Sequence, residues 1–338
     1  MNLHLIWFGL MVALLAGYAA LDGFDLGVGI LHPLARDERE RRLFVNAIGP
    51  IWDGNEVWLV TFGGALFAMF PEAYATIASG LYLPFILLLF ALIFRAVSLE
   101  FRGKLASTRW RRAWDWGFFG SSLAATLLFG VAVGNGIRGV PLDARGVYAG
   151  RLADLLGPYQ LLVGLLAVAL FAVHGGLYLY LKTEGAVQER LGTWLWHSWG
   201  VFLVLYLLTT IATLLAVPEA AANFWHEPWT GGVVVANVLA IAYIPRGLYL
   251  RRYGRAFLAS TITIVCLVAL FALAVYPNVL TASNDPAYSW TVYSAASSEK
   301  TLRIGLLIAA IGFPLVATYT AIVYYTFRGK VVLDDHAY

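Results

Sequence analysis

Apolar residues run along this chain in blocks of about twenty, the length an α-helix needs to cross a hydrocarbon layer, separated by short stretches where Arg, Asp, Glu and Gly collect. The blocks predict nine spans, at 3–31, 48–70, 75–99, 115–135, 158–181, 198–217, 230–250, 257–276 and 302–327. Within them the apolar residues are continuous rather than confined to one stripe, as expected for helices that meet lipid and protein instead of water. The fold class expected is an all-α integral membrane protein, one polytopic membrane domain over 1–338. No stretch between the blocks is long enough for a separate soluble domain.

Composition agrees with the pattern. The chain is 60% hydrophobic and 13% charged, with mean hydropathy +0.74, too little polar surface to coat a water-soluble globule. The N-terminal block lacks a basic leader and exceeds the apolar core of a signal peptide, so it reads as a retained first span. Tryptophans gather near the span ends, among them Trp7, Trp110, Trp114, Trp194, Trp199, Trp225 and Trp229, where an indole sits between lipid and water.

Charge sets the sidedness. Eighteen of the 23 Lys and Arg residues fall in the 36–42 loop, at 95–112, 182–190 and 246–255 and in the C-terminal segment, whereas Arg138, Arg145, Arg151, Lys300 and Arg303 lie on the opposite side. The positive-inside rule then places the N-terminus outside and the C-terminus in the cytoplasm. A formal charge of +3, with the basic residues confined to connecting loops, argues against a nucleic-acid-binding face. Cys266 is the sole cysteine, which excludes intramolecular disulfides and multi-thiolate metal sites.

Candidate chemistry lies in the acids inside the spans, because an ionised carboxylate at membrane depth is costly and usually lines a hydrated path or meets a partner. Asp25 falls about 9 Å from the cytoplasmic end of span 1, Asp53 about 8 Å and Glu56 about 12 Å into span 2, at 1.5 Å per residue. Asp22 and Asp25, like Asp53 and Glu56, are three apart and project from one side of their helices. Carboxyls gathered this way share protons and suit a proton entry path. The competing account is structural, with Pro50 as a first-turn proline and Asp53 and Glu56 favoured by a helix N-terminus.

The remaining features carry less. The run from Gly23 to Gly29 follows a membrane helix and lacks phosphate-loop spacing, so Gly23 and Gly27 read as a small-xxx-small packing face. Of six histidines only His174 lies well inside a span; His32 and His197 fall near cytoplasmic ends, His4 and His226 near the outer face and His336 in the tail, which leaves no pair at matching depth for haem. Arg95, Glu100 and Arg102 mark the exit of span 3, read as an interfacial ion-pair cluster with snorkelling arginines, with Glu100 a further candidate for the hydrated route. Asn135, Asn237, Pro84, Pro245 and Pro314 are polar or helix-bending features without an assigned role.

LDGFDLGVGIL in span 1, NAIGPIWDGNEVWLV at the start of span 2, FRAVSLEFRGK leaving span 3, the outer segment DPAYSWTVYSAASSEKTL and the terminal YYTFRGK resemble subunit II of cytochrome bd quinol oxidases, especially the shorter, cyanide-insensitive-type branch, over essentially the whole chain. FRAVSLEFR departs from the FRGVAFEFR-like form in packing residues and keeps both arginines and the glutamate. The resemblance implies a heterodimer in the bacterial cytoplasmic membrane that oxidises quinol and reduces dioxygen to water. It implies that haems b and d and the quinol site belong to subunit I, that this chain binds no haem, and that Asp25 and Asp53 lie on a cytoplasmic proton route. Some members hold a structural quinone or lipid in this subunit, and some complexes carry a small single-span accessory subunit. Two other functions compete: a proton-coupled secondary transporter, disfavoured by the absence of duplicated interrupted helices, and a purely structural scaffold for the haem subunit.

Overall fold

The structure is a computed structural model that describes residues 2–222, 224 and 229–333; Trp225, His226 and His336 fall outside the described residues. Among the described residues it is all-α apart from one small hairpin. The helices are α1 (Leu3–Leu31), α2 (Glu38–Ile48), α3 (Trp52–Met69), α4 (Pro71–Gly80), α5 (Tyr82–Arg102), α6 (Thr108–Arg138), α7 (Pro158–Lys182), α8 (Gly185–Ala216), α9 (Thr230–Tyr249) and α10 (Tyr253–Val275). The antiparallel strands β1 (Asn278–Leu280) and β2 (Trp290–Thr291) precede α11 (Glu299–Thr326). Among the described residues, eight helices are long and apolar enough to cross a membrane, and the bent pair α3–α4 makes a ninth candidate.

Several boundaries differ from the hydropathy reading: α6 starts at Thr108 rather than 115 and α8 at Gly185 rather than 198, and two expected spans differ in kind. The expected span 48–70 starts at Trp52, because a turn at residues 49–51 separates it from α2. Pro50 sits in that turn, ahead of the Ile51 cap, and is not a first-turn proline. The expected span 75–99 is two helices: Pro71 opens α4, which bends from α3 by 117°, and the crossing helix begins at Tyr82. The 36–42 segment, taken as a loop, lies largely within α2. Its amphipathic turns begin at the Asp37 cap, whose carboxylate accepts the Glu40 N–H, and its arginines hid the helix from a search for apolar windows.

In lipid the hydrophobic effect does not drive helices together, so close packing and internal polar contacts must. The centre is the crossing of α1, α6 and α7. A β-carbon at Gly27 would lie 1.9 Å from the Phe171 carbonyl oxygen and 2.9 Å from Gly175 Cα, and one at Gly130 would lie 2.6 Å from Gly164 Cα. These crossings are backbone against backbone, which is what the glycine spacing on α1 predicts. Aromatic rings fill the space between α1, α7 and α10, with Phe24 stacked on Tyr178 at 4.1 Å and His174 parallel to Phe257 at 4.6 Å.

At the other end the segment after α6 meets the hairpin region. Asn284 exchanges hydrogen bonds with the Leu142 backbone, and Trp290 Nε1 donates to Thr76 on α4. α11 is the most exposed span, with none of its apolar window buried. It is held near its ends, where Trp7 Nε1 donates to the Leu302 carbonyl, the Tyr324 hydroxyl reaches α3, and Lys182 donates to the Phe327 carbonyl.

Candidate functional site

α1, α3 and α5 bring four ionisable side chains into the bundle. Arg95, 1% exposed, donates from Nη1 to both oxygens of fully buried Asp22, at 2.7 and 2.9 Å, and its Nη2 lies 3.4 Å from Glu56 Oε2. Such burial is tolerable only because opposite charges face each other. The sequence reading of Arg95 as a snorkelling interfacial arginine is therefore corrected. The guanidinium turns inward because both carboxylate oxygens of Asp22 meet its Nη1 there. The buried Tyr18 hydroxyl lies within electrostatic range of Asp22 and Arg95 without a well-formed hydrogen bond.

One turn further along α1, Asp25 is 1% exposed. Asn55 Nδ2 donates to Asp25 Oδ2 at 2.7 Å, and Asn55 Oδ1 accepts from the Tyr324 hydroxyl at 2.8 Å. Among the described residues Asp25 Oδ1 has no hydrogen-bond partner although it is buried. Asn55 and Tyr324 also line a narrow groove with Pro50, Gly54, Tyr319 and Val323, between the start of α3 and the last third of α11.

The structure thus gathers Asp22, Asp25 and Glu56 but not Asp53. Asp53 lies in the first turn of α3 and is exposed, on the same face as exposed Val57, Val60 and Phe67. Its neighbour two positions on, Asn55, points the opposite way, as a 100° step per residue requires. Glu100 is half-buried in the last turn of α5, more than one turn beyond Arg95. Asn55, Tyr324 and Tyr18 are site residues that the sequence reading missed. An asparagine in an apolar helix was the available signal for the first; nothing marks the tyrosines among so many others.

A second cluster caps the same end of the bundle. His32 Nε2 is 2.7 Å from Asp115 Oδ1, which also accepts from Arg102 Nε at 2.6 Å. Arg102 Nη2 continues to Glu38 on α2 at 2.9 Å, and Arg190 on α8 holds Glu40. Arg102, 3% exposed, is again buried rather than snorkelling; it fastens α2 to α5 and α6.

His174, the histidine deepest in a span, has both ring nitrogens engaged. His174 Nε2 is 2.9 Å from the Ala20 carbonyl and Nδ1 is 2.7 Å from the Ser260 hydroxyl. Nε2 donates to the carbonyl and Nδ1 pairs with the hydroxyl, which leaves neither nitrogen for iron. No group of three or more His, Cys, Asp or Glu side chains placed to hold a metal ion occurs among the described residues.

Comparison with known proteins gives this arrangement its context. In fold, the chain matches the structure of bd oxidase from Geobacillus thermodenitrificans, with a TM-score of 0.81 over 97% of this chain and 99% of that one, at 19% identity. In sequence it is 34% identical to cytochrome bd-I ubiquinol oxidase subunit 2 of Escherichia coli K12, covering 98% of this chain and 96% of the relative. It is 33% identical to cytochrome bd ubiquinol oxidase subunit 2 of Bacillus subtilis 168, covering 98% and 97%. The family model for cytochrome bd terminal oxidase subunit II matches residues 3–327, and the chain belongs to that family.

Proposed function

We propose that this subunit II of a cytochrome bd-type quinol oxidase complex supplies part of the route by which protons reach the oxygen-reducing haem of its partner, and supports assembly of that partner. The observation that carries the proposal is Asp25: a buried carboxyl with one oxygen held by Asn55 and the other free, one turn from the Asp22–Arg95–Glu56 group. Two carboxyl groups on one guanidinium, with a third one turn away, can hold and pass protons, and Asn55 and Tyr324 connect Asp25 to a groove at the surface. Exposed Asp53, on an apolar face of α3, is positioned to hand protons across to a neighbouring chain rather than to Asp25 directly. Glu100 extends the route toward the helix end.

The partner in this proposal is the haem-bearing subunit I, with a small single-span subunit as an optional third member. The location is the bacterial cytoplasmic membrane, with the N-terminus outside and the C-terminus in the cytoplasm. The charge asymmetry supports that sidedness, and residues 1–338 then act as one membrane domain. Proton uptake from inside, matched to proton release from quinol outside, charges the membrane without a pump.

A candidate place for one chain of a structural quinone or lipid is the groove between α1, α3 and α10, a half-open cleft of about 80 Å³ lined by Phe8, Met11, Leu15, Phe62, Leu66 and Phe271 among others. Its apolar lining suits an isoprenoid or acyl chain and Asn278 adds a polar side chain; bound there, a quinone would serve packing. The transporter alternative gains nothing from the α3–α4 break, the one bent pair among the described residues, since that class uses paired breaks.

The test is oxygen consumption by the purified complex. Asp25→Asn and Asp53→Asn should each slow quinol-driven turnover by roughly tenfold or more, about 1.4 kcal/mol on the limiting barrier, with haem content unchanged. Wild-type turnover in both would make the subunit a scaffold.

A further inference from the structure

The turn between α9 and α10 closes on an arginine where glycine is the ordinary choice. Arg251 has φ +53. Its N–H donates to the Leu248 carbonyl at 3.0 Å and the Arg252 N–H donates to the Gly247 carbonyl at 2.8 Å, the two bonds of a Schellman closure with Arg251 at the left-handed position. A β-carbon is disfavoured there. A long cationic side chain at a left-handed position, where glycine costs less, points to a use for that side chain.

The surroundings indicate what the use is. Arg246, Arg251, Arg252 and Arg255 are all exposed within ten residues. None of the four takes part in an ion pair among the described residues, whereas Arg102, Arg111 and Arg190 at the same end of the bundle are all bound to glutamates. The turn is fixed rather than loose, because Tyr253 stacks on Tyr180 of α7 with ring centres 3.4 Å apart. Beside the cations, Tyr249 is 79% exposed and Leu250 and Leu258 are also exposed, continuing into the outward apolar faces of α9 and α10. Cations at a helix end above exposed apolar side chains match the two halves of one molecule, a negatively charged headgroup and its acyl chains.

We propose that the α9–α10 turn binds the headgroup phosphate of an anionic phospholipid, with Arg251 and Arg252 as the principal phosphate donors and Tyr249, Leu250 and Leu258 against the acyl chains. The apolar neighbours favour a lipid over free phosphate, which would engage only the arginines.

Arg251→Gly separates this role from a role in folding, because glycine suits the left-handed position better than arginine. The purified complex, delipidated in a neutral detergent, is titrated with phosphatidylglycerol or phosphatidylcholine in mixed micelles, and bound lipid is counted by native mass spectrometry. Wild type should retain phosphatidylglycerol in preference to phosphatidylcholine. Arg251→Gly and Arg252→Gln should each weaken that preference by roughly fivefold, with Arg251→Gly unfolding no earlier than wild type. Inorganic phosphate at millimolar concentration should not displace the lipid. Unchanged retention in both variants, or equal retention of the two lipids, would overturn the proposal, and full displacement by inorganic phosphate would overturn its lipid source. Complete assembly of Arg251→Gly with lost retention would support it.

Discussion

Arg95→Gln is the sharpest probe of the buried ion group. The substitution removes the guanidinium that reaches both Asp22 oxygens and Glu56. Asp22 is then fully buried with its charge uncompensated, whereas Glu56, with 21% of its side chain exposed, still has access to solvent. Breaking one partner of a buried pair costs about 3–5 kcal/mol, nearly all of it assignable to Asp22, or roughly two to three and a half decades in the folded-to-unfolded ratio. The assay is denaturation of the purified complex by a titration of sodium dodecyl sulfate into dodecyl maltoside micelles, followed by tryptophan fluorescence. The double variant Asp22→Asn/Arg95→Gln removes both charges and should recover a large part of the loss, because the penalty belongs to the unpaired charge and not to the missing pair. Arg95→Gln with wild-type stability, or a double variant no better than the single, would refute the claim that the Arg95–Asp22 pair is desolvated.

Other outcomes follow from single contacts. Gly27→Ala should destabilise or prevent assembly by about 1–3 kcal/mol or more, since its β-carbon would meet backbone atoms of α7, whereas Gly9→Ala, with nothing within 4 Å, should be silent in the same expression assay. His174→Ala should lower thermal stability by about 1–3 kcal/mol through loss of its contacts to Ser260 and Ala20, while the haem absorbance bands of the complex stay in place; loss of a band would make His174 a ligand. In a Cys266→Ser background, Arg39→Cys should react with a membrane-impermeant maleimide only from the cytoplasmic side and Ser283→Cys only from outside, as both positions are exposed at opposite ends of α6. Labelling from one side would overturn the sidedness.

Hydropathy shows the spans because the bilayer imposes a length and a polarity on every crossing helix. It read α1 with both ends correct and overlapped a long helix with every other span. It missed α2, whose arginines look like a loop to an apolar window, and it ran through the α4–α5 break, where Gly80 and Leu81 interrupt the backbone without interrupting the apolar run. Depth was legible for the acids and direction was not. Asp53 and Asn55 are two residues apart and thus about 200° apart around the axis, and with apolar residues on all sides nothing in the sequence says which of them faces α1. Nor could it show that Arg95 meets Asp22, 73 positions away: both an exposed snorkelling arginine and a buried bidentate one satisfy the same local pattern. The aspartates were found because charge at that depth is rare. Their asparagine and tyrosine partners carry no such mark.

The central claim, that Asp25 passes protons, is tested most directly by proton uptake in a single turnover. The fully reduced complex, wild type or Asp25→Asn, is mixed with oxygen in weak buffer containing a pH-sensitive dye, and dye and haem absorbance are followed together. Asparagine preserves the size of the side chain and accepts the Asn55 hydrogen bond but cannot titrate. The account predicts that oxygen binds and electrons move at wild-type rates in Asp25→Asn, while proton uptake and the haem transitions tied to it slow together by roughly tenfold or more, about 1.4 kcal/mol on that step. Proton uptake at the wild-type rate, in a variant with full haem content, would contradict it.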